Sequence, residues 1–296
     1  MLRIGSRGSQ LALWQSRWVA ARLGALGQST SIEIIRTTGD KITDVALSKV
    51  GTKGLFTKEL EDALREDRVD LAVHSLKDMP TDLPDGLILA ATPAREDPRD
   101  AVLGRAIADL PAGARVGTSS LRRAAQLKML RGDLLVESVR GNLDTRIRKL
   151  DEGQYDAIVL AAAGLRRLGW ESRIAELLPV EQMCPAVGQG ALAVETRESA
   201  PDACRMLDHE PTRQAITAER AVLRALGGGC QVPVGAHAWH VGGLLHLRAV
   251  VISPDGATAI ARDASGSPSD AERIGGSMAD ELLGSGARRI LEMVYG

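Results

Sequence analysis

One pattern constrains the fold of this chain more than any other: a strand–loop–helix opening that occurs twice, RIGSRGSQLALWQ at residues 3–15 and RVGTSSLRRAAQL at residues 115–127. In each, a short β-rich run enters a loop of small residues carrying arginine, and a helical pattern follows. A unit that restarts in this way predicts two domains of one architecture. β-rich runs at 2–4, 32–36, 70–74 and 87–92 alternate with helical patterns at 11–26 and 55–65. After a charged bend at 95–100 the alternation resumes, with strands at 115–117, 134–139 and 157–161 and helices at 121–131 and 145–150. Such alternation indicates α/β domains built on largely parallel sheets. In the helix at 11–26, Leu11, Trp14, Trp18 and Ala25 recur at helical spacing and mark the expected apolar face.

Beyond Ala191 the pattern changes. A helix at 211–226 carries Ala215, Ala218, Val222 and Leu226 on one face. Strands at 232–237 and 244–252 are joined through Gly242-Gly243, a third follows at 258–264, and a long helix closes the chain at 269–295. This is a small α+β domain. The expected division is residues 1–94 with 190–207, then 98–185, then 210–296. A chain of 296 residues is long enough for two or three cores.

Lys and Arg number 37 against 38 Asp and Glu, which removes any general attraction to nucleic acid or an anionic membrane. The three cysteines form no CxxC pair, and His237 and His240 lack further ligands at zinc spacing, so neither a disulfide framework nor a metal is expected. No apolar run is long enough to span a bilayer and no secretory h-region opens the chain, so a cytoplasmic location is expected.

Anion binding must therefore come from local clusters. Helix N-termini present unpaired N–H groups and partial positive charge. Ser9, Ser119 and Ser120 add hydroxyls to the two loops, and Arg7, Arg122 and Arg123 add charge. Arginine in a first helical turn opposes the helix dipole, so an anion is expected to compensate it. Residues 115–149 hold nine basic and three acidic residues in a chain of net charge -1. Arginine dominates that excess, and its planar fork suits carboxylates. Arg140 ends an apolar strand, the place where α/β sheets usually bind ligands. Lys77 and Asp78 emerge at another strand end beside Pro80, where a surface Lys–Asp pair and a reactive carboxylate are both compatible with the residues. His74 reads as a buried strand histidine. Cys230 is preceded by three glycines, which leave a thiol accessible as an attachment point.

These segments together resemble the porphobilinogen deaminase (hydroxymethylbilane synthase) family. The resemblance rests on IGSRGSQLALWQ, TTGDK, KGLFTKELE, DLAVHSLKDMP, REDPRDA, VGTSSLRRAAQL, RGNLDTR, YDAIVLAAAGLRRLG, PAVGQGALAVE and GGCQVP, in preserved order over nearly the whole chain. It implies two domains like type II periplasmic binding proteins plus a small α+β C-terminal domain. The implied reaction condenses four porphobilinogen molecules on a dipyrromethane cofactor and releases a linear tetrapyrrole by hydrolysis. Carried over by motif, Cys230 would hold the dipyrromethane through a thioether. Asp78 would be the catalytic carboxylate, facing pyrrole N–H groups and stabilising the cation formed as ammonia leaves. Lys77, Ser119, Ser120, Arg122 and Arg123 would bind the cofactor, and Arg7, Ser9, Arg140, Arg146 and Arg167 the substrate or growing chain. The resemblance further implies a monomer whose product passes to uroporphyrinogen-III synthase. Two positions depart from the family pattern: Cys184 stands where an apolar residue is general, and Thr52 falls in a variable loop. A non-catalytic organic-anion receptor and a cysteine-dependent acyl transferase are the competing readings.

Overall fold

Three sheets organise the protein, whose computed structural model describes residues 1–41, 55–199, 201–227 and 232–295. In chain order the first strands are β1 (Leu2–Ser6), β2 (Thr30–Ile34), β3 (Leu71–Ser75), β4 (Leu87–Ala91) and β5 (Asp100–Gly104). They are followed by β6 (Arg115–Gly117), β7 (Leu135–Glu137), β8 (Ala157–Ala161), β9 (Ile174–Leu178) and β10 (Leu192–Arg197). The last three are β11 (Val234–Val241), β12 (Leu244–Ile252) and β13 (Ala259–Gly266).

The first sheet runs β2-β1-β3-β10-β4 and the second β7-β6-β8-β5-β9. In both, three parallel strands are followed by one antiparallel strand, β10 from a distant stretch of chain in the first and β5, which directly precedes β6, in the second. The repeated opening thus reports a repeated topology. The inserted strands β5 and β10, and the edge strand β9, were not among the strands read from the sequence. β5 begins inside what reads as a charged bend, because its first residue, Asp100, is an acid buried within the fold.

The third sheet is the antiparallel meander β11-β12-β13. Its first turn is Gly242-Gly243, both at positive φ, as a two-residue hairpin requires. The final helix is broken rather than continuous: Ala271–Leu282 and Arg288–Tyr295 meet at a kink where Gly286 has φ 103°. Compactness divides the chain into Met1–Glu96 with Gly190–Arg213, and Asp97–Gln189 with Gln214–Gly296; the second and third sheets share the latter unit.

In the first unit, Ile4, Leu71, Val73 and Val194 of the sheet pack on Val19 and Leu23 of the helix Gln10–Ala25. Each such side chain contributes about 1.5–3 kcal/mol when fully buried. The buried residues of that helix are Ala12, Gln15, Ser16, Val19 and Leu23; of the expected face, Trp18 packs partly against this core, Leu11 and Trp14 are half-buried, and Ala25 is exposed, so the face is corrected in part. Gln15 faces inward because its Nε2 donates to Ser75 Oγ at 2.9 Å, and Trp18 serves as a platform for Arg22, 5.0 Å from its ring centre. In the C-terminal part, Ala215, Ala218, Val222 and Leu226 are buried as expected.

In the second unit Cys184 packs with Ala125, Val250 and Ile252, joining the helix Leu121–Leu130 to the outer face of the third sheet. A Cβ on Gly235 would stand 2.8 Å from the Cys184 carbonyl oxygen and 2.9 Å from its Cβ. Gly235→Val is therefore expected to destabilise the protein by about 1–3 kcal/mol through overpacking. An unchanged denaturant midpoint in that variant would show that the joint yields easily.

Candidate active site

The candidate residues within the described chain follow the C-terminal ends of parallel strands. In the first unit Arg7 and Ser9 follow β1, and Lys77 and Asp78 lie in the turn Leu76–Asp78 that ends β3. In the second, Ser119, Ser120, Arg122 and Arg123 follow β6, Arg140 and Arg146 follow β7, and Arg167 ends the short helix Ala162–Arg167 after β8. Cys230, Gly228, Gly229 and Gln231 lie outside the described residues, as does Thr52.

The two loops begin their helices in the same way. Ser9 Oγ accepts from the Ala12 N–H at 3.3 Å, and Ser120 Oγ accepts from the Arg123 N–H at 3.4 Å. Arg7 lies over the ring of Phe56, its guanidinium carbon 4.4 Å from the centroid, within cation–π range. Ser119 Oγ donates to the Val139 carbonyl at 2.6 Å and meets Ser138 Oγ at 2.9 Å, which ties the loop after β6 to the segment before Arg140. Arg146 Nε donates to the Gly141 carbonyl at 2.8 Å. Arg140, Arg146, Arg167, Lys77 and Asp78 are all half-buried. The Lys77–Asp78 turn is held by the Leu76 N–H donating to the Ala191 carbonyl and the Met79 N–H to the Leu76 carbonyl, with both Leu76 and Met79 buried.

Arg122 and Arg123 are the departure. Both are buried, at 4% and 6% exposure, and the anion that compensates them is internal. Asp100, fully buried at the start of β5, receives Arg122 Nη1 at 2.8 Å and Arg123 Nη2 at 2.7 Å. Arg122 also donates to the Cys184 carbonyl at 2.6 Å and Arg123 to the Val159 carbonyl at 3.0 Å. Burial pushes the Asp100 carboxyl up, but the charges of Arg122 and Arg123, with hydrogen bonds from Arg122 and Gln189, outweigh it and hold it far below the usual carboxylate range. Asp100 and Gln189 are the site residues that sequence reasoning missed. The available signal was an acid opening the apolar run Asp100-Ala-Val-Leu.

Two guanidiniums against one carboxylate leave a positive charge, and Arg122 Nε is buried without a hydrogen-bond acceptor among the described residues. That orphaned donor fits a ligand bearing carboxylate arms, as a dipyrromethane does. The cysteines fit a single tether. Cys184 and Cys204 are buried, and burial pushes their thiols up to about 12 and about 11. Its burial also removes the exposure that would make Cys184 prone to oxidation.

Beneath the Lys77–Asp78 turn, His74 is a buried strand histidine whose Nε2 stands 2.9 Å from Glu195 Oε2. Glu61 is buried nearby; burial pushes its carboxyl up, the Glu195 charge adds to the rise, and the neighbouring Thr57 hydroxyl and the Arg65 charge oppose it. An acid raised in the folded state stabilises it most when protonated. Its contribution therefore declines as pH rises from the ordinary glutamate value of about 4.3 through the raised one. Glu61→Gln is expected to flatten that decline. Urea midpoints that run parallel in wild type and variant across this window would show that Glu61 does not titrate there.

Comparison with known proteins then identifies the family. Residues 2–205 match the model described as "Porphobilinogen deaminase, dipyromethane cofactor binding domain", and residues 213–284 match the "Porphobilinogen deaminase, C-terminal domain". The porphobilinogen deaminase of Syntrophobacter fumaroxidans is 53% identical over 100% of this chain and 98% of its own length. That of Gloeobacter violaceus is 54% identical over 99% and 93%, and that of Pelobacter propionicus 50% over 99% and 97%. Among solved structures, the methionine-binding protein MetQ aligns with TM-score 0.45 and 11% identity, covering 72% of this chain and 90% of that one. With matches that span it nearly end to end, this chain belongs to the porphobilinogen deaminase family.

Proposed function

We propose that the chain is a hydroxymethylbilane synthase, a transferase that deaminates and condenses four porphobilinogen molecules on a dipyrromethane and then releases the linear tetrapyrrole by hydrolysis. The observation that carries this reading is the end-to-end match to porphobilinogen deaminases at about half identity. In this reading three domains, residues 1–94 with 190–207, 98–185 and 210–296, divide the work.

The residues act through charge. Asp78 accepts hydrogen bonds from the pyrrole N–H of porphobilinogen and stabilises the positive charge that develops on that ring as ammonia departs. Arg7, Ser9, Arg140, Arg146 and Arg167 hold the acetate and propionate arms of the incoming substrate. Lys77, Ser119, Ser120, Arg122 and Arg123 hold those of the dipyrromethane, and Cys230 is its thioether anchor. When bound, the dipyrromethane supplies the nucleophilic pyrrole carbon to which new units are joined. Fixing both partners by their carboxylates converts a bimolecular encounter into an oriented one.

The reading includes a cytoplasmic monomer that hands its product to uroporphyrinogen-III synthase. No helix among the described residues is long and apolar enough to cross a membrane. The test is an intact-mass spectrum with a porphobilinogen assay on the same sample. A dipyrromethane-sized excess together with ammonia release is expected; a folded chain with neither would overturn the reading.

A further inference from the structure

Resting on that reading of the function, we propose that Asp100 is a positioning residue for the reaction: it clamps Arg122 and Arg123 in one orientation and leaves their cluster one positive charge for a ligand carboxylate. Two arginines in the first turn of a helix oppose its dipole, and burying both without an anion would cost several kcal/mol each. Asp100 answers both effects with one side chain. Its Oδ1 takes Arg123 Nε at 2.9 Å and its Oδ2 forms an ion pair with Arg122 Nη1 at 2.8 Å, so each carboxylate oxygen faces a different guanidinium.

A second buried group completes the clamp. Gln189, fully buried, donates through Nε2 to Asp100 Oδ1 at 2.8 Å and to the Pro98 carbonyl at 2.7 Å, while its Oε1 accepts from Arg123 at 3.3 Å. Asp100 is thereby held from Gln189 on one side and the arginines on the other. If the carboxylate served packing alone, one arginine would balance it. The second arginine and the orphaned Arg122 Nε are what a clamp presenting charge to a ligand requires.

The experiment follows the gain of dipyrromethane mass by the full-length apoprotein supplied with porphobilinogen. Each protein is assayed well below its own melting temperature, so that partial unfolding does not slow it. Asp100→Asn keeps the shape and deletes the charge, and is expected to load about a hundredfold more slowly, the scale of a misplaced binding group. Asp100→Ala opens room for a small carboxylate, and formate should restore its loading where chloride at equal ionic strength does not. Loading of Asp100→Asn at the wild-type rate overturns the proposal. Should Asp100→Asn fail to fold, Asp100→Ala decides: restoration by formate alone supports the clamp, and equal behaviour in formate and chloride overturns it. A wild-type chain that never gains the mass would instead overturn the reading of the function, an outcome visible before any variant is compared.

Discussion

Asp78→Asn is expected to release ammonia from porphobilinogen about a thousandfold more slowly than the wild type, the loss that follows removal of a preorganised polar group at a developing charge. The position suits such a role. Asp78 is the last residue of a tight turn whose neighbours Leu76 and Met79 are buried at 1% and 4% exposure, so the carboxylate is fixed by its flanks rather than by its own contacts. Asn preserves size and hydrogen bonding and deletes only the charge. Asp78→Glu keeps the charge and displaces it by a methylene, and should lose about a hundredfold, since misplacement is costly but the field survives. Both variants should retain the dipyrromethane, which the proposed reading assigns to other residues. Single-turnover ammonia release, with the bound mass verified on each sample, separates charge from shape. Near-normal release from a loaded Asp78→Asn enzyme would return Asp78 to the rank of a structural turn residue.

Cys230→Ser is expected to fold, carry no dipyrromethane mass and show no turnover. A hydroxyl in place of the thiol removes the only group suited to a thioether, because a buried, protonated cysteine is a poor nucleophile. Cys184 and Cys204 cannot substitute: both are buried with raised thiols, and Cys184 is packed against Gly235. The variant exchanges one sulfur for an oxygen, so the melting temperature of Cys230→Ser should match that of the wild-type apoprotein. Persistence of the pyrrole mass on purified Cys230→Ser would place the tether at another residue.

Much of the fold was legible because two periodicities report it directly. Strand and helix runs were placed within a few residues, and the restart at Arg115 revealed the second α/β domain because both openings need the same small-residue loop and helix cap. Three strands escaped. β10 joins a sheet whose other strands lie within residues 2–91, and β5 is a short run opened by a buried acid inside a charged bend, so no local alternation marks either. The helix at Gln10–Ala25 shows the opposite failure, an apolar stripe of which only Trp18 packs partly against the sheet's core. Its buried face includes Gln15 and Ser16, and what qualifies them is small volume or a hydrogen-bond partner 60 residues away.

The sequence by itself determined the family, the two-fold α/β plan and the identity of the residues with chemistry to offer, because motifs such as SLKDMP and GTSSLRR bring particular side chains to strand ends and loops whatever surrounds them. Only the tertiary structure decided how those side chains are used. Arg122 and Arg123 read in one dimension as exposed charges awaiting an anion. In three dimensions Asp100, more than 20 residues earlier, has already reached them, and Gln189, more than 60 residues later, holds it there. Burial, pairing and leftover charge depend on which distant segments meet, and the hydrophobic collapse that joins them leaves no local trace in the order of residues.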